Sequence, residues 1–424
     1  MNTTRRRFLQ LSGALAGYGI LSPVWMRVGA LASVADAAGP PAATTRKVLV
    51  LVLDGGNDGL NTVVPYGLGD YYAKRPSIAI PASRVLPLAD SHQVGLHPNL
   101  ARLHALYTQR QVAVVQGVGY DNPDLSHFGS MDVWQSGSPT HQQSSGWLGR
   151  YLDLTPDRGS VVRAVSIGST LPKILVGDAK SGVAIPSFGG FTFYDGLDVK
   201  KGSEAYRLHE AFAPSTRATP ASGDPVVDAL AAADRAAVAA VHAVNSLGDT
   251  TAAPPQTASD KVSMAMTLLS SKLGIDVALV SVTGFDEHAA EQAGHDSLLS
   301  QLDAAIGRFA DEVSRSAHPE SYLLVTISEF GRRAEENGSR GTDHGTAAPQ
   351  FVVGRGVAGG LYGAQPGLRP SQLDANGNLV RTVEYREVYS TILDHWLGGA
   401  SSADVLGVSS ADGLHPVPFL RTAT

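Results

Sequence analysis

The chain reads as an α/β protein, a three-layer sandwich around a mainly parallel central sheet. Two observations predict this. Six short runs are apolar throughout, without polar alternation, as strands covered on both faces require. Amphipathic helical patterns lie between those runs. A third observation locates the chemistry: four of the runs lead at once into segments rich in Asp, Glu, His or Ser.

The six runs are "KVLVLVL" (47–53), "QVAVVQG" (111–117), "VVRAVSIG" (161–168), "DVALVSV" (276–282), "SYLLVTI" (321–327) and "QFVVG" (350–354). Helices are expected over 97–109, where Leu100, Leu103 and Leu106 share a face behind Pro98, and over 298–313, where Leu298, Leu302, Ile306 and Phe309 do. A third, over 386–399, ends on a glycine pair. Between about 200 and 260 no strand candidate occurs. An Ala-rich helix and a Pro-containing connection predict a helical insertion on one α/β domain spanning 39–424.

Residues 1–38 have a different character. Three arginines precede Phe8-Leu9, a modestly apolar stretch is broken by Gly13, Gly17 and Gly19, and Ala35-Asp36-Ala37 offers a cleavage site. This pattern resembles a twin-arginine export signal, with the twin-arginine translocase as partner and a periplasmic or secreted destination. A membrane anchor is not expected, because a span needs about 20 uninterrupted apolar residues.

Composition narrows the chemistry. The 424 residues are 43% hydrophobic, ample for a large core, and carry a net charge of −6 without a basic stripe. Nothing electrostatic recommends a nucleic-acid partner. There is no cysteine, which excludes disulfides, thiolate catalysis and Cys-based metal sites.

The segments after the strands carry the candidate residues. Asp54 follows 47–53, with Gly55, Gly56 and Gly59 letting backbone approach its partner. A calcium loop fails there, since Gly56 and Pro65 stand where ligands belong. A turn capped by Asp54 is the plain alternative to a ligand. Ser126 precedes a helix beginning near His127. It is either an ordinary N-cap or a nucleophile held where a helix start favours an anionic ester. Asp286 and His288 are two apart, so in extended chain they share a side and can share an ion. His295 reads as the start of the next helix. Glu329 ends the run 321–327, Arg332 and Arg333 follow, and Asp343-His344 close the loop. His344 suits direct ligation, with Asp343 as ligand or orienting partner. The arginines could grip an oxyanion or face solvent. In a parallel sheet these segments meet beyond the carboxyl ends of the strands. Oxygen and imidazole ligands fit one or two divalent ions, Zn²⁺, Mn²⁺, Mg²⁺ or Ca²⁺. A second calcium-like stretch, "LDANGNLV" (373–380), reads better as a hairpin around Asn376-Gly377.

The segments "LDGGNDGLNTVVPY", "RPSIAI", "GLHPNL", "LSHF", "GWLGRYL", "FDEHAAEQ", "SEFGRR", "NGSRGTDHG" and "EYREVYSTILDHWLG" resemble, in order and along the whole mature chain, the domain-of-unknown-function 1501 family of twin-arginine-exported bacterial proteins. That family is related to the alkaline phosphatase and sulfatase superfamily. The resemblance implies an alkaline-phosphatase-like fold and metal-dependent hydrolysis of a small-molecule or polymer phosphate or sulfate ester. It implies that Asp54 is a first-strand ligand, Ser126 the nucleophile, and Asp286, His288 and His344 the ligands of one metal. Glu329 falls at a superfamily ligand position, but Phe330 replaces the histidine that follows it there, so the second metal lacks a ligand. The sulfatase motif with Pro and Arg after the nucleophile is missing around Ser126, which disfavours a formylglycine sulfatase. The alternative is a non-catalytic exported binding or assembly protein that retains the fold.

Overall fold

The structure is a computed structural model that describes residues 46–158, 160, 162–190, 240–241, 243–409 and 412–421. The expected export signal and most of the expected insertion over 200–260 lie outside the described residues.

Among the described residues nine strands form the main sheet: β1 Lys47–Asp54, β2 Val112–Gly119, β3 Ala164–Ile167, β4 Val183–Ile185, β5 Val277–Thr283, β6 Tyr322–Ile327, β7 Ala348–Val353, β8 Gly360–Tyr362 and β9 Val383–Glu384. Their order across the sheet is β8-β2-β7-β6-β1-β5-β3-β4, with β9 also beside β2. All pairings are parallel except those of β7, which runs antiparallel to both β6 and β2. The apolar run "QFVVG" therefore points the opposite way from the other five, a property that apolar content cannot reveal.

The uniformly apolar strands are explained by what covers them. Leu49, Leu51 and Leu53 of β1 enter one core, and Val48, Val50 and Val52 enter the other. Alternate side chains leave a strand on opposite faces, so a strand buried twice must be apolar at every position. The first core packs against α1 (Ala101–Thr108), α4 (Ala258–Ser270) and α5 (Glu291–Arg315), and the second against α2 (His127–Ser136), α3 (Trp147–Leu154) and α6 (Tyr385–Ile392). Layering of helix, sheet and helix results, as the strand and helix pattern predicts. Helix α4 has no counterpart in the sequence reading. Its Val262, Ala265, Met266, Leu268 and Leu269 are buried, and its N-terminus carries a Thr257–Asp260 capping box. Helix α5 begins at Glu291, four residues before His295.

Direction matters for the site. Strand β6 ends at the carboxyl edge of the sheet, and β7, being antiparallel, starts from that same edge. The loop joining them thus returns to where it left. Strands β2, β7, β6, β1 and β5 are successive neighbours, so their edge loops lie side by side. Residues 373–380 form a turn, with an antiparallel bridge between Leu373 and Leu379. The Asp374 carboxylate there accepts from Asn376 N and Asn378 N at 2.8 Å each, which leaves the hairpin as the explanation of that stretch.

Candidate metal centre

The loops at this edge are built to approach closely. Gly55 and Gly56, directly after β1, have φ of 121° and 84°. A Cβ on Gly55 would stand 2.4 Å from the Asp286 backbone nitrogen, and one on Gly56 the same distance from the Phe330 ring. Glycine is required at both. The backbone oxygen of Asp54 accepts from Gly284 N and Phe285 N, which carries the β5 loop across the end of β1.

Asp286 is the hub. Its Oδ1 lies 2.9 Å from His288 Nε2, 3.2 Å from His344 Nε2 and 2.8 Å from Arg332 Nη2, and its Oδ2 lies 3.4 Å from His127 Nε2. Each of the three imidazoles is also fixed at its other nitrogen. His127 Nδ1 faces Glu329 Oε1 at 2.9 Å, His288 Nδ1 faces Asp343 Oδ1 at 3.2 Å, and His344 Nδ1 faces the Leu125 carbonyl at 2.7 Å. A carbonyl or an ionised carboxylate only accepts, so each Nδ1 carries the hydrogen. In the neutral ring the Nε2 lone pair then points at Asp286. His288 Nε2 and His344 Nε2 stand 3.0 Å apart. His288 Nε2 has the Arg332 Nη1 donor at 3.4 Å, and the lone pairs of His127 and His344 repel the carboxylate unless a cation or protons lie between them. Metal-binding histidines are held in this way, with the second nitrogen donating to a carboxylate or carbonyl. Among the described residues, His127, Asp286 and His344 offer ligand atoms that all lie within 4.8 Å of one another.

The carboxylate at the hub stays ionised. Its partial burial works against the charge, but the hydrogen-bonded Arg332 guanidinium and the neighbouring imidazoles overcome this, and its pKa is pushed down to about 2. Asp54 shifts the other way: burial and the nearby Glu329 raise its pKa, and His127 opposes them.

The remaining expected residues have distinct places. Glu329 is 1% exposed and accepts from Gly55 N at 2.8 Å as well as from His127, so it orients an imidazole and the β1 loop. Asp343 holds His288 and accepts from Asn337 Nδ2 at 3.0 Å. Arg332 turns inward. It is 1% exposed and donates to the carbonyls of Gly55, Gly56, Phe285 and Thr342 and to Asp286, so its guanidinium ties loops together instead of facing an ester. Arg333 donates to the Asn376 carbonyl. Ser126 is exposed, and although it occupies the N-cap position its side chain makes no capping bond. Its neighbours on either side both touch the cluster, Leu125 through His344 and His127 directly. Phe330 is buried against the rings of His127 and His344, with centroids 5.0 and 4.5 Å away.

His127 joins the candidate site although the sequence marks it only as the opening residue of a helix, and its one local signal is its position directly after Ser126. Behind the cluster lies a second, buried set that was also missed. Arg75, fully buried, pairs bidentately with Asp58 and donates to the Ala334 and Arg333 carbonyls. Glu291 accepts from Thr342 Oγ1 at 2.7 Å beside that pair. His295 bridges Thr62 and Glu287.

Residues 45–405 match the family described as "protein of unknown function (DUF1501)", and the chain belongs to that family. No curated protein matches. Among solved structures, one similar chain is a protein in the alkaline phosphatase superfamily from Vibrio parahaemolyticus, 9% identical, with 91% of this chain and 74% of that one covered at a TM-score of 0.38. Another is the PsFucS1 sulfatase from Pseudoalteromonas sp., 12% identical, covering 92% and 73% at 0.37. A third is the zinc-bound C-terminal periplasmic domain of EcEptC from Escherichia coli, 9% identical, covering 90% and 87% at 0.34.

Proposed function

We propose that this member of the DUF1501 family is an exported, metal-dependent hydrolase of phosphate or sulfate esters. Its reaction would be carried out at a single-ion centre held by His127, Asp286 and His344, with His288 alongside. One observation carries the reading: three imidazoles, each fixed through Nδ1, turn Nε2 toward one carboxylate. Imidazole-rich ligation with a carboxylate favours Zn²⁺, or Mn²⁺, over Mg²⁺ and Ca²⁺, which prefer all-oxygen sites. Phe330 argues for one ion in place of two. A divalent ion bound there supplies Lewis acidity to an ester oxygen.

The chain's own groups supply the rest. Ser126 has an uncommitted, exposed hydroxyl at the start of α2, where backbone N–H groups favour an anion, and it is the proposed nucleophile. Asp54, with its raised proton affinity, suits acceptance of the proton from that hydroxyl or from an attacking water. Glu329 and Asp343 hold His127 and His288 in their tautomers. Arg332 keeps Asp286 charged and the loops closed. Asp54, Glu329 and Asp343 thus act around the ion. The N-terminal twin-arginine pattern supports export in the folded state to the periplasm or beyond, and among the described residues no helix is long and apolar enough to cross a membrane.

The test is turnover. Zinc- or manganese-loaded protein is assayed against chromogenic phosphate monoesters, phosphate diesters and sulfate esters. Hydrolysis that falls at least 100-fold in both Ser126→Ala and His344→Ala supports the assignment. Hydrolysis that survives in both removes it. Phe330 also favours a second reading, a binding protein that retains the ion without turnover. A zinc-dependent rise in melting temperature with every ester left intact would select that one.

A further inference from the structure

The large apolar side chains exposed among the described residues include Leu154 and Val380, each about half accessible, and Phe128, which is 91% accessible. Single exposed apolar residues are ordinary on a surface. Phe128 differs in its position and in how firmly it is held. It follows Ser126 and His127 in the first turn of α2, beside the proposed nucleophile and one proposed ligand.

Its backbone is tied to the site by a chain of hydrogen bonds. Ser126 N donates to Asp124 Oδ1 at 2.8 Å, Asp124 N donates to the Tyr120 hydroxyl at 3.1 Å, and that hydroxyl meets Ser130 Oγ at 2.9 Å. Ser130 Oγ in turn donates to the backbone carbonyl of Glu329, the residue that orients His127. A Cβ on Gly129 would collide with the Asp124 carboxylate, so the turn is closed on that side too. The ring therefore stands in water on a support pinned to the site itself. A contact surface fixed in advance loses little freedom when a ligand arrives.

We propose that Phe128 is a specificity-determining residue that receives the leaving group of the ester, and that this leaving group carries a ring with a flat apolar face. This rests on the hydrolase reading above and names its substrate class. An aromatic face recognises such a ring by stacking and by edge contact, and it offers nothing to a small charged leaving group. A macromolecular partner fits less well, because a stable interface needs a broad patch, and the exposed neighbours of Phe128 in its own turn are polar.

Binding of phenylphosphonate and of methylphosphonate to the zinc-supplemented protein is measured by titration calorimetry in the wild type, Phe128→Ala and Phe128→Tyr. Benzenesulfonate and methanesulfonate form a parallel pair for a sulfate-type site. The expected result is a phenyl-over-methyl preference that shrinks about fivefold to tenfold in Phe128→Ala and persists in Phe128→Tyr. A preference unchanged in Phe128→Ala overturns the proposal, as does failure of both pairs to bind. Hydrolysis of 4-nitrophenyl phosphate and sulfate is followed alongside. A Phe128-dependent preference without turnover removes the hydrolase reading and keeps the ring site. Turnover with a preference indifferent to residue 128 does the reverse. Because the side chain is exposed, the melting temperature of both variants should match the wild type, which keeps loss of fold from imitating the effect.

Discussion

Two polar clusters sit back to back in this molecule, one at the carboxyl edge of the sheet and one just behind it. Both are made of carboxylates, imidazoles and an arginine. The rear cluster neutralises itself. Arg75 pairs with Asp58, and Glu291, beside them, has its pKa raised by burial and by the Asp58 charge. Two neighbouring buried carboxyls cannot both ionise, so one charge meets one charge and the other acid stays neutral. The front cluster does not close on itself. Arg332 answers Asp286, but three Nε2 atoms remain aimed at the same carboxylate with their Nδ1 atoms already engaged. The same chemical groups therefore do different work according to whether their charges and hydrogens add up without a guest. In the rear cluster the charges do, and in the front cluster the proposed cation would complete them.

The largest expected effect separates the two. Asp58→Ala leaves the Arg75 guanidinium buried without its counter-charge, which should cost about 3–5 kcal/mol of stability. Asp286→Ala also removes the counter-charge of a buried guanidinium, but this carboxylate is half-exposed and Arg332 keeps four carbonyl acceptors against two for Arg75. In metal-free protein it should therefore cost less, about 1–2 kcal/mol. Urea unfolding of both variants with chelator present measures the gap. With zinc in excess the wild type should gain about 2.7 kcal/mol at 100 times the dissociation constant, and Asp286→Ala should gain none. Equal losses in the two variants would erase the distinction between a closed cluster and an open one.

A smaller effect tests the imidazole supports. Asp343→Ala removes the acceptor at His288 Nδ1 and frees that ring to turn. Loss of such a supporting partner weakens metal affinity by roughly 10- to 100-fold. Competition against a chromophoric chelator reads it directly. If Asp343 were itself a ligand, the loss would equal that of His344→Ala, so the ratio of the two assigns its role.

How much of this was legible in the chain follows from which properties residues carry alone. Apolar runs announced the sheet, because burial on two faces leaves no place for alternation. They could not announce the reversed β7, because composition has no direction. Asp286, His288 and His344 stood out through their spacing and their places beside strand ends. His127 did not, since an imidazole opening a helix looks the same whether or not its ring faces a site. Arg332 and Arg333 are adjacent and chemically identical, and only the carbonyls of Gly55, Gly56, Phe285 and Thr342 converging on one of them decide which is buried. The rear cluster joins Asp58, Arg75 and Glu291, and neither periodicity nor motif connects such distant positions.

The rear cluster makes a further prediction through pH. Glu291 has an ordinary carboxyl pKa when unfolded and a strongly raised one when folded, raised first by burial and then by Asp58. A raised folded pKa gives stability that is complete below about pH 4.5 and is lost as pH climbs toward the folded value. Glu291→Gln keeps an acceptor for Thr342 Oγ1 and carries no proton to lose. Its stability should therefore fall less than that of the wild type between pH 5 and pH 9, with the difference growing steadily in its favour. Thermal melts at pH 5, 7 and 9 check the sign. A gap that stays constant with pH would mean Glu291 is ionised in the fold.

The smallest effect concerns the residue where the clusters meet. Ala290 lies between His288 of the front set and Glu291 of the rear, and it caps α5 in the left-handed region, at φ 48° and ψ 40°. Its amide donates to Ser339 and that of Glu291 to Arg340, so the turn is held by the loop that also carries Asp343 and His344. A β-carbon in this conformation costs about 1–2 kcal/mol, and glycine avoids it at some expense in unfolded-chain entropy. Ala290→Gly should thus stabilise the fold by about 0.5–1 kcal/mol, readable as a rise of a few degrees or less in melting temperature. Zinc affinity shows what the strain is for. If the strained turn only joins two elements, affinity stays within about twofold while stability rises. If it is what presses the His288 ring toward Asp286, relaxing it should weaken zinc binding even as the protein melts later, and the two clusters would then be linked through a single backbone angle.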